Sequence, residues 1–193
     1  MANLVAITNL NLCQNLHDKV KELCENGISE IVLREKQLTS NEYERLFCEI
    51  LNITQKFNVT LFLHNFIEIA LKIDYKFIWL PLSVLKNKFV NLKKFEKIVV
   101  SAHSEFEVKE ALKLGANAVC LSHIFQTACK ENLKPKGLNL IKNVRKFYSG
   151  EIYALGGVNL QNYKEILQTG ADKIAIMSLF MQNDTKEIIK EFL

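Results

Sequence analysis

His123 and Lys130 flank the stretch Ile124-Phe125-Gln126-Thr127-Ala128-Cys129. An apolar run before them, Ala116-Asn117-Ala118-Val119-Cys120-Leu121, reads as a buried strand. A neutral imidazole close to a fixed cation suits proton transfer on a small anionic substrate. By itself the pair reads equally as a loop histidine and a solvated lysine. Residues of similar chemistry recur where other apolar runs end: Thr8, Arg34 and Lys36, His64 and Asn65, Ser101 and His103, Gly156-Gly157, and Met177-Ser178. Three of the four histidines follow such runs directly, and His17 alone falls in a helical stretch. Histidines, lysines and an arginine gathered at strand ends predict an anion-binding mouth.

The elements that would carry these residues alternate. Strands are expected at Leu4–Thr8, Ile28–Leu33, Val59–Leu63, Phe77–Leu80, Lys97–Ser101, Ala116–Leu121, Glu151–Leu155 and Lys173–Met177. Between them, helical spacing is expected over Leu12–Asn26, from Ser40 to about Lys56, Phe66–Lys72, Ser83–Val90, from Ser104 to Gly115, Leu138–Tyr148, and after Asn159. A last helix, Phe180–Leu193, is broken near Asn183-Asp184. Thr39-Ser40-Asn41-Glu42 and Ser104-Glu105-Phe106-Glu107 have capping-box spacing. Strands that are apolar throughout belong to a parallel sheet covered on both faces. Eight such units predict an α/β fold, a single compact (β/α)8 TIM barrel over residues 1–193. A doubly wound open sheet is the alternative, but Thr8-Asn9-Leu10-Asn11 follows the first strand where a glycine fingerprint is expected.

The hydrophobic share of 49% is enough for a large core, and a net charge of +4, from 25 basic and 21 acidic side chains, is too mild for nucleic acid. Five cysteines without a CxxC suggest neither a disulfide framework nor a zinc site. A cytoplasmic setting is therefore expected. The N-terminus lacks signal-peptide character, and no apolar run approaches a membrane span. Homo-oligomer formation is compatible with the sequence.

In a barrel, chemistry sits at the carboxyl ends of the strands. Gly156-Gly157 and Met177-Ser178 follow the seventh and eighth strands, where many barrels bind phosphate. Lys130, Arg34 and Lys36 could add charge-assisted contacts to the same or a second anion. After the third and fourth strands stand His64-Asn65-Phe66 and Pro81-Leu82-Ser83-Val84, with no Asp or Glu, so metal-dependent chemistry is disfavoured and no metal ligands are expected.

Leu33-Arg34-Glu35-Lys36, Ser101-Ala102-His103-Ser104, Phe125-Gln126-Thr127-Ala128-Cys129-Lys130, Ala154-Leu155-Gly156-Gly157-Val158 and Gly170-Ala171-Asp172-Lys173-Ile174-Ala175-Ile176-Met177-Ser178 resemble the thiamine phosphate synthase and TenI superfamily, in that order. Its synthases join hydroxymethylpyrimidine diphosphate to a thiazole phosphate with Mg²⁺. They typically carry Asn-Asp-Arg after strand three and an Asp after strand four, where this chain has His64-Asn65-Phe66 and Val84. The TenI-type thiazole tautomerases look closer, with a histidine at the position of His123. That resemblance implies metal-independent aromatisation of a thiazole phosphate carboxylate in thiamine biosynthesis, with no cofactor. His123 would transfer the proton; Gly156, Gly157, Met177 and Ser178 would hold phosphate; Arg34, Lys36, Ser101 and Lys130 would meet phosphate or carboxylate; His64 and His103 would be accessory. A divergent synthase using Mg²⁺ and a non-catalytic ligand-binding or regulatory barrel are the alternatives.

Overall fold

The computed structural model describes residues 4–87, 92–127 and 133–192. Eight parallel strands follow one another in chain order and close into a barrel: β1 (Leu4–Ile7), β2 (Glu30–Leu33), β3 (Thr60–His64), β4 (Phe77–Pro81), β5 (Lys97–Ala102), β6 (Ala118–Ser122), β7 (Glu151–Leu155) and β8 (Lys173–Ile176). Helices α1 (Leu16–Glu25), α2 (Ser40–Thr54), α3 (Ile67–Lys72), α4 (Leu82–Lys86), α5 (Glu105–Lys113), α6 (Leu138–Arg145) and α7 (Tyr163–Gln168) alternate with them. Two more, α8 (Ser178–Gln182) and α9 (Thr185–Phe192), follow β8. The fold is the expected (β/α)8 barrel. Its internal contacts divide it into two compact units, residues 1–78 with 176–193, and residues 79–175.

In the first unit, β1 and β2 are buried along their whole length; β1 is apolar throughout, and β2 is apolar after Glu30. Val5 pairs with Glu30, and Leu33 with Leu63, so the ends of β2 and β3 stand side by side. Tyr43 on α2 fastens those ends: its hydroxyl donates to the Leu33 carbonyl at 2.6 Å and accepts from the His64 amide at 2.8 Å. The Tyr43 ring lies 4.4 Å from that of Phe66, and Phe47 packs edge-on to Tyr75 at 4.9 Å. Thr39 and Glu42 form the expected capping box. The first helix starts later than the spacing predicts, at Leu16, because the Asn15 side chain accepts from the amides of His17 and Asp18.

In the second unit, Ala102 pairs with Leu121, Ser122 with Leu155, and Tyr153 with Lys173. Glu151, Lys97 and Lys173 each open a strand, and the Glu151 carboxylate pairs with both lysines. Three expected details differ. Glu107 does not complete a box with Ser104; its carboxylate accepts the His103 amide at 2.6 Å, while the Ser104 hydroxyl accepts the Glu107 amide. Asn162, not Asn159, precedes α7, since Asn159 turns its side-chain oxygen to the amides of Gln161 and Asn162. The helix after Leu138 stops at Arg145, whose guanidinium is drawn to the carbonyls of Tyr148, Gly150 and Gly170.

Candidate functional site

The carboxyl ends of the strands in the first unit carry Thr8, Arg34, Lys36, His64, Met177 and Ser178. Glu35 organises the loops. Its carboxyl group, only 1% exposed, accepts from the Thr8 hydroxyl at 2.5 Å, the Leu10 amide at 2.9 Å and Gln37 at 3.0 Å. The Thr8 hydroxyl in turn accepts the Arg34 amide at 3.0 Å. With Glu35 so occupied, the Arg34 guanidinium forms no ion pair among the described residues and lies 3.9 Å from the Met177 sulfur. His64 is buried beside these cations. Burial lowers its pKa to about 3, and the charges of Arg34 and Lys36 push in the same direction. His64 is therefore a neutral imidazole at any physiological pH. Ser178 is exposed at the start of α8.

In the second unit, Ser101, His103, His123, Gly156 and Gly157 stand at or just past the ends of β5, β6 and β7. The strand register continues into the loops: Ile124 donates to the Leu155 carbonyl and Phe125 to that of Gly156, both at 3.0 Å. Close approach there leaves no room for side chains at the glycines. A Cβ on Gly156, at φ +101°, would fall 2.5 Å from the His123 Cβ; one on Gly157, at φ +66°, 2.4 Å from the Gln126 carbonyl. The amides of Gly157 and Val158 make no hydrogen bond among the described residues, and consecutive unpaired amides suit an anion.

His123 is 3% exposed. Its Nε2 lies 3.2 Å from the Leu133 carbonyl, and its Nδ1 is buried with no partner. A carbonyl can only accept, so Nε2 carries the proton and the lone pair is left on Nδ1. Nδ1 is closed to solvent. His103 has the opposite arrangement, with its Nδ1 2.5 Å from the Ser122 carbonyl. Ser101 accepts from the indole of buried Trp79 at 3.0 Å. Lys130 and Cys129 lie outside the described residues.

The roles of Thr8, Glu35 and Trp79 were not legible as such in the sequence. The signal for Glu35 was weak: an acid between two basic residues. For Mg²⁺ the donors are poor. Among the described residues no group of three or more His, Cys, Asp or Glu side chains could hold a metal ion. Both Glu35 oxygens are taken, and Asn65 and Phe66 offer no carboxylate. No helix among the described residues is long and apolar enough to cross a membrane.

A family model described as thiamine monophosphate synthase matches residues 4–180. A thiamine-phosphate synthase of Clostridium novyi is 30% identical over 174 residues, covering 89% of this chain and 85% of its own. A putative thiamine-phosphate synthase 2 of Aquifex aeolicus is 31% identical over 170 residues, covering 88% and 91%. Among solved structures, a thiamine phosphate pyrophosphorylase from Pyrococcus furiosus superposes with a TM-score of 0.83 at 24% identity, over 98% of this chain and 92% of that one. These names favour the coupling reaction of synthases over the tautomerisation that the resemblance to TenI-type tautomerases implies.

Proposed function

The chain belongs to the thiamine monophosphate synthase family, which works in thiamine biosynthesis, and on that premise we propose that it acts on a phosphorylated thiazole and moves a proton on it. The observation that carries this reading is His123 Nδ1, a buried ring nitrogen with no partner, on an imidazole whose other nitrogen is held by the Leu133 carbonyl. In the proposed reaction Nδ1 takes the proton from the ring carbon bearing the substrate's carboxylate. The bond electrons shift into the ring, and the same proton returns to the exocyclic carbon. Nothing is oxidised or reduced, and a base screened from bulk water keeps the proton it has taken. Gly157 and Val158 amides would meet an anionic group of that substrate; Arg34, Met177 and Ser178 remain candidate anion contacts within their own unit. Lys36, Ser101 and Lys130 remain candidates for the same anions.

A second reading is supported by the names of the relatives: coupling of hydroxymethylpyrimidine diphosphate to the thiazole phosphate. Against it stands the poor donor set for Mg²⁺.

One pair of assays separates the two. Purified protein is given the carboxylated thiazole phosphate tautomer in chelator, and separately both coupling substrates with Mg²⁺. Metal-free aromatisation that falls by about 10²–10⁴-fold in His123→Gln, the usual contribution of general base catalysis, is the expected result. Coupling in the second assay with no aromatisation in the first would replace this reading with the synthase one.

A further inference from the structure

His123 is gripped at several points. Its carbonyl accepts from the Lys136 amide at 3.0 Å, its Cβ sits against Gly156, and its Nε2 donates to Leu133. The peptide that leads into it is held by one side chain. The pairing of Ala102 with Leu121 brings the next residues, His103 and Ser122, alongside each other. There the His103 Nδ1 lies 2.5 Å from the Ser122 carbonyl and 3.1 Å from the Ser122 hydroxyl. Since the carbonyl can only accept, the proton is on His103 Nδ1. His103 is itself anchored, its amide donating to the Glu107 carboxylate at 2.6 Å. That carboxylate sits in the first turn of α5, where the Ser104 hydroxyl holds the Glu107 amide. A line of contacts thus runs from the start of α5 through Glu107, His103 and Ser122 to the proposed base.

We propose that His103 is a positioning residue for His123: by donating from Nδ1 to the Ser122 carbonyl it sets the peptide that carries the His123 ring. Its Nε2 takes no part in the reaction. This rests on the reading of His123 as the base. A displaced reacting group is costly, with misplacement by about 1 Å losing on the order of 10²-fold in rate. The effect should fall on kcat and leave KM, because the groups proposed to bind the anions are untouched.

The test compares His103→Asn with His103→Leu. Asparagine keeps an N–H donor at the place of Nδ1 but has nothing at the place of Nε2; leucine has neither. The expected result is a loss of about 10- to 100-fold in kcat for His103→Leu with KM kept, and recovery of most of it in His103→Asn. An asparagine variant as impaired as the leucine one, or a loss confined to KM, overturns the proposal. If His103→Leu does not fold, His103→Asn alone decides, by keeping or losing near-normal kcat. If the wild type turns over nothing, the reading of His123 fails, and ring ¹⁵N resonances of His123 test the positioning by themselves. A His123 signature that changes in His103→Leu and recovers in His103→Asn supports it; one indifferent to both variants overturns it.

Discussion

Glu35 and Thr8 are joined across β2 and β1 by a 2.5 Å hydrogen bond, and neither side chain reaches solvent. The consequence lies next door. Glu35 stands between Arg34 and Lys36 in the chain and could neutralise either cation, yet its oxygens are spent on Thr8, Leu10 and Gln37. The acid acts as a clasp between loops, and Arg34 stays available.

Removing the Thr8 hydroxyl should therefore weaken the fold before it touches chemistry. Thr8→Val deprives the buried Glu35 of one donor and the Arg34 amide of its acceptor. A buried polar group left unsatisfied costs about 1–3 kcal/mol, so the urea midpoint should fall accordingly. Thr8→Ser, which keeps the hydroxyl, should sit near the wild type. Equal stability of Thr8→Val and wild type would mean that the clasp contributes nothing.

The architecture was legible in the sequence because parallel strands buried on both faces leave unbroken apolar runs, and turn and cap residues mark the gaps. The box at Thr39 and Glu42 could be read for the same reason: it is local in sequence. What could not be read is long-range. Nothing near Arg145 in sequence says that it will bind the carbonyl of Gly170, so helical spacing continues to Tyr148 while α6 stops at Arg145. Ser104 and Glu107 have capping-box spacing, yet the Glu107 carboxylate meets the His103 amide and the box is not completed. In the site, residue types at strand ends were visible, whereas the division of labour among histidines was not. It depends on which ring nitrogen meets which carbonyl.

His64 should be silent to titration where ordinary histidines respond. Its folded pKa is lowered to about 3, from the model-compound value of 6.5, by burial and then by Arg34 and Lys36. Between those values the unfolded chain binds a proton that the folded chain refuses. The stabilising contribution is thus complete above pH 6.5 and is lost as pH falls toward 3, with a slope of at most about 1.4 kcal/mol per pH unit. His64→Asn should flatten that part of the stability profile. In the wild type, the His64 ring resonances should stay fixed between pH 8 and 5; a midpoint near 6.5 would contradict the burial argument.

The contact between Gly156 and His123 makes a sharper prediction about the proposed base. Gly156→Ala meets two obstacles, a left-handed φ of +101° and a Cβ 2.5 Å from that of His123. Strain at a positive φ costs about 1–3 kcal/mol, and the clash adds to it. Thermal melting should drop by several degrees. Aromatisation measured below the melting point should fall further than stability explains, since the displaced group is His123 itself. An alanine variant with normal stability and turnover would show that the loop relaxes freely.

Trp79 offers a direct readout of occupancy. It is the only tryptophan, is 2% exposed, and donates from Nε1 to the Ser101 hydroxyl at 3.0 Å. If Ser101 meets the substrate, as its place at the end of β5 suggests, ligand binding must redistribute that hydrogen bond. Indole emission should then change saturably as thiazole phosphate is added. Ser101→Ala leaves the buried indole N–H without this acceptor, at a cost of about 1–3 kcal/mol, and should abolish most of the ligand-induced change. Emission that follows ligand equally well in wild type and Ser101→Ala would place the anion away from Ser101 and leave the serine as support for Trp79 alone.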